Sequence, residues 1–318
     1  MGGGPTSPGE LRSLLTPTLF TLIVHARLPY YKKDKVDFAT FGRNIFIEDH
    51  FGPIVEDHVW PALIALSKIG LDHMPDLSVY LPAPTDPSYP TQCLGLQLLL
   101  DHCPRLLFRG VDQRWTYDYF SKVSQRLAAV WLALPDASRP ETWTRWQAAG
   151  AGLDYWLCVR FWFATPFVHS ELLENQEIGL LYTEETRSAI ERASGQTDPN
   201  RAKRDQILND VHGFPREYVR GPPQGKHVTR ETWTWWVSML MDIHKPIIDR
   251  FGRYPYLNSM EGRESTAEEI EWIDETGHFG EARKEVAERI REDVIAGRWT
   301  PLGTDSLSEK TPSAVREI

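Results

Sequence analysis

The chain has 318 residues, long enough to bury a sizeable core. Its 25% charged and 41% hydrophobic residues exclude collagen-like, fibrous and charge-driven disordered classes. A formal net charge of −9 argues against a protein that coats nucleic acid nonspecifically and against a DNA partner, because such binding rests on many phosphate contacts.

Met1 to Glu10 is rich in glycine and proline and is expected to be a flexible tail. Residues 11–24 are leucine-rich but too short to span a bilayer, and they lack the basic start and clean apolar run of a signal peptide. No membrane partner is expected, and the expected location is cytoplasmic. Cys93, Cys103 and Cys158 are too widely spaced for a disulfide framework or a paired-cysteine zinc site, and they read as buried thiols. No Asn-x-Ser/Thr sequon occurs, in keeping with a reducing compartment.

Apolar residues at three- and four-residue spacing predict helices over 54–69, 92–109, 117–134, 153–164, 167–182, 232–250 and 266–274. Strand-like alternation is scarce. Breakers at Pro82 to Pro90, Leu134 to Pro140 and Pro199 to Gln224 separate the helical pieces. The expected fold is all-α, with helices stacked as antiparallel pairs in one domain over 11–300, an irregular basic insertion at about 195–230, and a tail over 301–318. The 12 tryptophans suit the spaces between helices, with a minority lining a ligand pocket.

Four stretches could carry chemistry. In Leu98 to Gly110, Asp101, Arg105 and Arg109 recur every four residues, so one helix would set them on one face, although Pro104 could start a new turn. That stripe is an internal salt bridge or an anion site, and Arg109 beside Gly110 could equally satisfy helix-terminal carbonyls. In Phe161 to Glu177, an aromatic run leads to His169, Ser170 and Glu171, with Gln176 beyond. Neighbouring side chains on a helix diverge by roughly 100°, so His169 and Ser170 cannot act as base and nucleophile within one turn. Pro166 opening a helix, with Ser170 and Glu171 in its first turns, competes with His169 or Glu171 as a general acid or base.

From Asn200 to Arg230 seven cations, including Arg201, Lys203 and Arg204, face three acids, which reads as a solvated loop or a basic patch. His244 to Glu269 sets Arg250, Arg253 and Arg263 in a turn stiffened by Pro255 and freed by Gly252 and Gly262, suited to presenting guanidinium forks to an anion or a carboxylate. Within it, Ser265 to Glu268 reads as a capping box at a helix start. Glu281 to Glu292 reads as a solvated helix face. There is no P-loop, no G-x-G-x-x-G and no metal-ligand spacing among the ten histidines, so neither a cofactor nor a metal is expected.

Taken together and in order, these motifs resemble a family catalogued as a domain of unknown function, numbered nine-two-four, whose members look like tetratricopeptide-like helical bundles. Its first motif falls on Leu99 to Gly110, its H-S-E motif on His169 to Glu171 with Gln176, and its third motif on His244 to Asn258, followed by Glu261 to Glu269. The likeness covers roughly residues 35–280. The chain departs from the pattern at His102 and Leu106, where the family carries glutamine and asparagine. It departs again at Tyr256 and Leu257, which replace a histidine and an arginine, so a pocket lined by these positions is more apolar than in typical members.

The tryptophan-rich interior and the basic stretch are similar to a fungal branch of the family, the arginine-containing cyclodipeptide synthases. That resemblance implies an aminoacyltransferase that condenses arginyl-tRNA with a second aminoacyl-tRNA into a diketopiperazine. Attack of an α-amine on an aminoacyl ester needs a base, donors for the tetrahedral oxyanion, and carboxylates for a substrate guanidinium. The residues expected to meet those needs are His169 as base, with Glu171 and Asp101 as carboxylates. Arg105, Arg109, Ser170, Gln176, His244, Arg250, Arg253, Asn258 and Arg263 are expected to bind substrate. Arg201, Lys203 and Arg204 would meet tRNA. Two other classes use the same residues: a non-catalytic helical module that captures an anionic peptide or metabolite, and a small-molecule hydrolase.

Overall fold

A computed structural model describes residues 8–48 and 51–306. The regular structure of these residues is helical, with no strand among them. In chain order the α-helices are α1 (Pro8–Leu14), α2 (Pro17–Arg27), α3 (Phe38–Phe46), α4 (Pro53–Ser67), α5 (Tyr89–Gln97), α6 (Cys103–Leu107), α7 (Ser121–Leu132) and α8 (Trp143–Ala148). There follow α9 (Leu153–Val168), α10 (Leu173–Ser194), α11 (Arg204–Ile207), α12 (Gly213–Arg220), α13 (Arg230–Asp242), α14 (Lys245–Phe251), α15 (Asn258–Glu261), α16 (Ala267–Glu275) and α17 (Lys284–Ile295). Their contacts gather into two compact units, the first holding 8–34, 51–163 and 300–306, the second 35–48 and 164–299. No helix among the described residues is long and apolar enough to cross a membrane.

In the first unit, α2 starts at Pro17, whose missing N–H costs nothing in a first turn, and Thr16 Oγ1 accepts the Leu19 N–H at 3.3 Å. Its buried Phe20 lies so close to α5 that a Cβ on Gly95 would stand 2.5 Å from the Phe20 carbonyl oxygen, so only glycine permits this approach. The helix predicted over 92–109 exists as α5 and α6 joined by a π-helical segment, Leu98–His102. A second π segment, Trp115–Phe120, leads into α7. Tyr119 in that segment buries its ring and donates its hydroxyl proton to carbonyls just at and beyond the end of α4, Leu66 O at 2.6 Å and Ile69 O.

Tryptophans in this unit do fill interhelical space. The indole N–H of Trp146 donates to Pro140 O at 2.8 Å, and that of Trp156 donates to Glu141 O at 3.0 Å. Cys93, Cys103 and Cys158 are all buried here as free thiols, and desolvation pushes each thiol pKa well up. Of the stretch expected as a C-terminal tail, the described part carries a buried Leu302, and the Gly303 N–H donates to both Asp112 carboxylate oxygens at 3.1 Å. The residues beyond 306, like 1–7, lie outside the described part.

In the second unit α10 runs for 22 residues and stops at Gly195, whose φ of 71° is the left-handed cap. It packs along α13, where the wholly buried Trp233 meets the ring of Phe41 edge-on at 5.2 Å. The helix predicted over 232–250 divides into α13 and α14. Pro246 explains the break, because its ring would clash with the carbonyl four residues back, at Asp242, where α13 ends. The stretch read as irregular over 199–224 holds a 3₁₀ turn (Pro199–Lys203) followed by α11 and α12.

Candidate functional site

Asp101, Arg105 and Arg109 belong to the first unit. Asp101 is buried at the π segment, and Arg105 reaches back to it across 3.5 Å while donating to Ser121 Oγ at 3.1 Å. The Arg105 guanidinium also lies 5.2 Å from the Tyr117 ring centre. Arg109 turns onto the carbonyls of Arg105 and Phe108, at 3.3 and 2.9 Å, closing the end of α6. The expected stripe is therefore an internal salt bridge followed by a carbonyl cap.

The other nominated residues belong to the second unit. Pro166 does not open a helix, as expected from the sequence, but lies in the last turn of α9, which ends at Val168. The carbonyls left over there find other donors. Gln176 Nε2 lies 3.4, 3.1 and 2.5 Å from Phe167 O, Val168 O and Ser170 O, and the buried Tyr254 hydroxyl donates to Val168 O. His169, Ser170 and Glu171 therefore occupy the connection between α9 and α10, not a first helical turn. Ser170 is fully buried, and its Oγ accepts from Leu172 N at 3.2 Å and Asn175 Nδ2 at 2.9 Å, fixing the start of α10.

His169 and His244 meet edge-on with ring centres 6.1 Å apart, His169 half-buried and His244 buried. His244 Nδ1 lies 2.9 Å from Leu240 O. A carbonyl oxygen only accepts, so Nδ1 carries the proton and the basic lone pair of the neutral ring belongs to Nε2. Phe214 packs against that imidazole at 3.9 Å between ring centres, and Tyr254 meets it edge-on.

The arginine-bearing turn proves to be matched glutamate for arginine. Arg250 Nε meets Glu268 Oε1 at 2.8 Å on the surface. Arg253 grips the buried Glu269 with two bonds, at 2.6 and 2.7 Å, and gives a third to Glu264 O. Arg263 grips Glu171 with two bonds, at 2.7 and 2.9 Å, and lies 3.2 Å from Glu261. Arg253 holds the Glu269 carboxyl down to about 2 against the upward push of burial, with the Thr266 amide helping. Burial by itself would lower the Arg263 pKa, but the Glu171 and Glu261 charges outweigh it and raise the guanidinium's pKa. Asn258 is buried and donates to Ser265 Oγ at 3.0 Å, tying the turn to itself.

The capping box lies one residue later than the sequence reading placed it. Thr266 Oγ1 accepts the Glu269 N–H at 3.2 Å and Glu269 accepts the Thr266 N–H at 2.7 Å, while Glu268, shifted off that face, pairs with Arg250. The sequence left the partner of these arginines open between an anion and a carboxylate and did not name the glutamates. For Arg250 and Arg253 the signal was present, since 244–269 carries four glutamates and an aspartate beside its cations, whereas Glu171 lies far outside that stretch.

Of the cations expected to meet tRNA, Arg201 is bound between Glu184 and Glu191, at 2.7 and 2.6 Å, and Arg204 meets the buried Asp242 at 2.8 Å. Lys203 is exposed. Behind them, the wholly buried Arg187 bridges Asp198 at 2.8 Å and Asp242, and the Thr183 hydroxyl donates to Asp242 at 2.6 Å. No cluster of three or more metal-ligating side chains occurs among the described residues.

An all-α chain with an Arg–Glu-stapled turn beside paired histidines is thus the class the fold and site define. The sequence matches, over residues 78–277, the family described as a bacterial protein of unknown function, DUF924, and the chain belongs to that family. No curated protein and no solved structure matches the chain.

Proposed function

We propose that the chain is a tRNA-dependent cyclodipeptide synthase that joins an arginyl group to a second aminoacyl group. The observation that carries this reading is Glu171, a carboxylate set out in the two-pronged geometry that takes a guanidinium, two residues from His169. In the reaction the α-amine of one aminoacyl group attacks the ester carbonyl of the other, His169 accepts the ammonium proton, and the tRNA terminal hydroxyl leaves with a proton. A second attack, by the remaining α-amine on the remaining ester, closes the six-membered ring and releases the second tRNA.

Pairing of each arginine in the turn with a glutamate weighs against the alternative of a module that captures an anionic ligand there, because the anion would meet carboxylates. Expression in a host that supplies ordinary charged tRNAs should yield arginine-containing cyclic dipeptides by mass, and His169→Ala should lower their formation about 10²-fold or more. A folded, soluble wild-type chain that makes none would sink the reading.

A further inference from the structure

The three arginine–glutamate pairs of the turn are not equivalent. Arg253 cannot leave Glu269 without exposing a carboxylate that is 3% accessible and that also closes the capping box. Arg250 and Glu268 are both about half exposed and share a single close contact, a pair with no fixed geometry to select a ligand. The Arg263–Glu171 pair combines accessibility with order. The two side chains are 21% and 27% exposed and meet through a two-bond fork.

Both partners are also provided for when they part. Glu171 Oε1 accepts the Tyr254 N–H at 2.8 Å, a bond independent of Arg263 that keeps the carboxylate aimed. Arg263 has Glu261 at 3.2 Å and Tyr254 O at 3.3 Å, so a small swing leaves the guanidinium still hydrogen-bonded. The backbone on either side of Glu171 is held by Ser170, whose Oγ accepts the Leu172 N–H, and by Gln176, which donates to Ser170 O. A preformed seat thus already contains a guanidinium, that of the protein itself.

We propose that Arg263 is a displaceable occupant of the Glu171 seat, and that the arginine side chain of a substrate takes its place while Arg263 moves onto Glu261. The identity of the incoming group as arginyl rests on the synthase reading, whereas the exchange rests on the pair alone. Planar, two-pronged recognition makes the seat select guanidinium over ammonium.

L-Argininamide, which lacks the free carboxylate as an aminoacyl ester does, is the probe, measured by calorimetry on the full chain. Binding should tighten tenfold or more in Arg263→Ala, disappear in Glu171→Gln, and be at least tenfold weaker for L-lysinamide. Circular dichroism establishes that each variant is native, and Arg263→Gln serves the same comparison should the alanine variant not fold. A native Arg263 variant that binds argininamide no better than wild type, or a Glu171→Gln chain that still binds it, overturns the exchange. Glu171-dependent binding in a chain that makes no cyclic dipeptide would keep the seat and remove the synthase, whereas arginine-containing product undiminished in Glu171→Gln would do the reverse.

Discussion

Glu269 shows how much one carboxylate can organise. It takes two bonds from Arg253 and one from the Thr266 amide, and Thr266 Oγ1 in turn accepts the Glu269 N–H, so a single side chain joins the turn to the first turn of α16. Its pKa falls from an ordinary 4.5 to about 2 in the folded chain. A depressed carboxylate pKa stabilises the fold above the unfolded value and loses that contribution as protons bind. Stability should therefore decline as pH falls from about 4.5 towards 2. In Glu269→Gln this portion of the decline should be absent, at a cost near neutral pH of about 1–3 kcal/mol, both read from denaturant titrations across pH. An unchanged pH profile in that variant would show that Glu269 is not the group responsible.

Among the elements, the 3₁₀ turn Pro199–Lys203 and α11 carry the basic charge expected to meet tRNA, and two of those three cations, Arg201 and Arg204, are paired with acids of the chain itself. Arg201 spans two glutamates of α10 and lowers the proton affinity of each, and Arg204 ends on Asp242 of α13. Arg201→Ala should cost about 1 kcal/mol of stability, the scale of part-exposed ion pairs, with tRNA binding little changed. Lys203→Ala should leave stability intact and reduce the salt dependence of tRNA binding by about one phosphate contact. Filter binding at several salt concentrations, beside thermal melts, separates the two, and a tRNA loss confined to Arg201→Ala would contradict this division of labour.

At the scale of the whole molecule, the helical class and most helix positions were legible because apolar periodicity is a local property. Helix α4 falls at Pro53–Ser67 against an expected 54–69, and α16 at Ala267–Glu275 against 266–274. Breaks were harder to place. Pro246 stands just after the end of one helix, whereas Pro166 lies in the last turn of α9, and the carbonyls beyond it are taken by Gln176 and by Tyr254, which is distant in sequence. The site was half legible for the same reason. Arginines in a rigid turn announce that something holds them, but Glu171 lies 92 residues from Arg263, and nothing local says that the holder is a carboxylate of the same chain rather than a ligand. Opposite charges at that separation are paired by the fold alone.

The three thiols described with the core, Cys93, Cys103 and Cys158, all lie in the first unit, and their raised pKa values keep them protonated at neutral pH. Alkylation needs a thiolate that reagent can reach, so each sulfur is silent until its surroundings open. The second unit contains none. Pulsed alkylation during denaturant unfolding is therefore a chemical clock for one unit only, and its comparison with a probe of both, such as far-ultraviolet circular dichroism, tells whether the two units melt together or in succession.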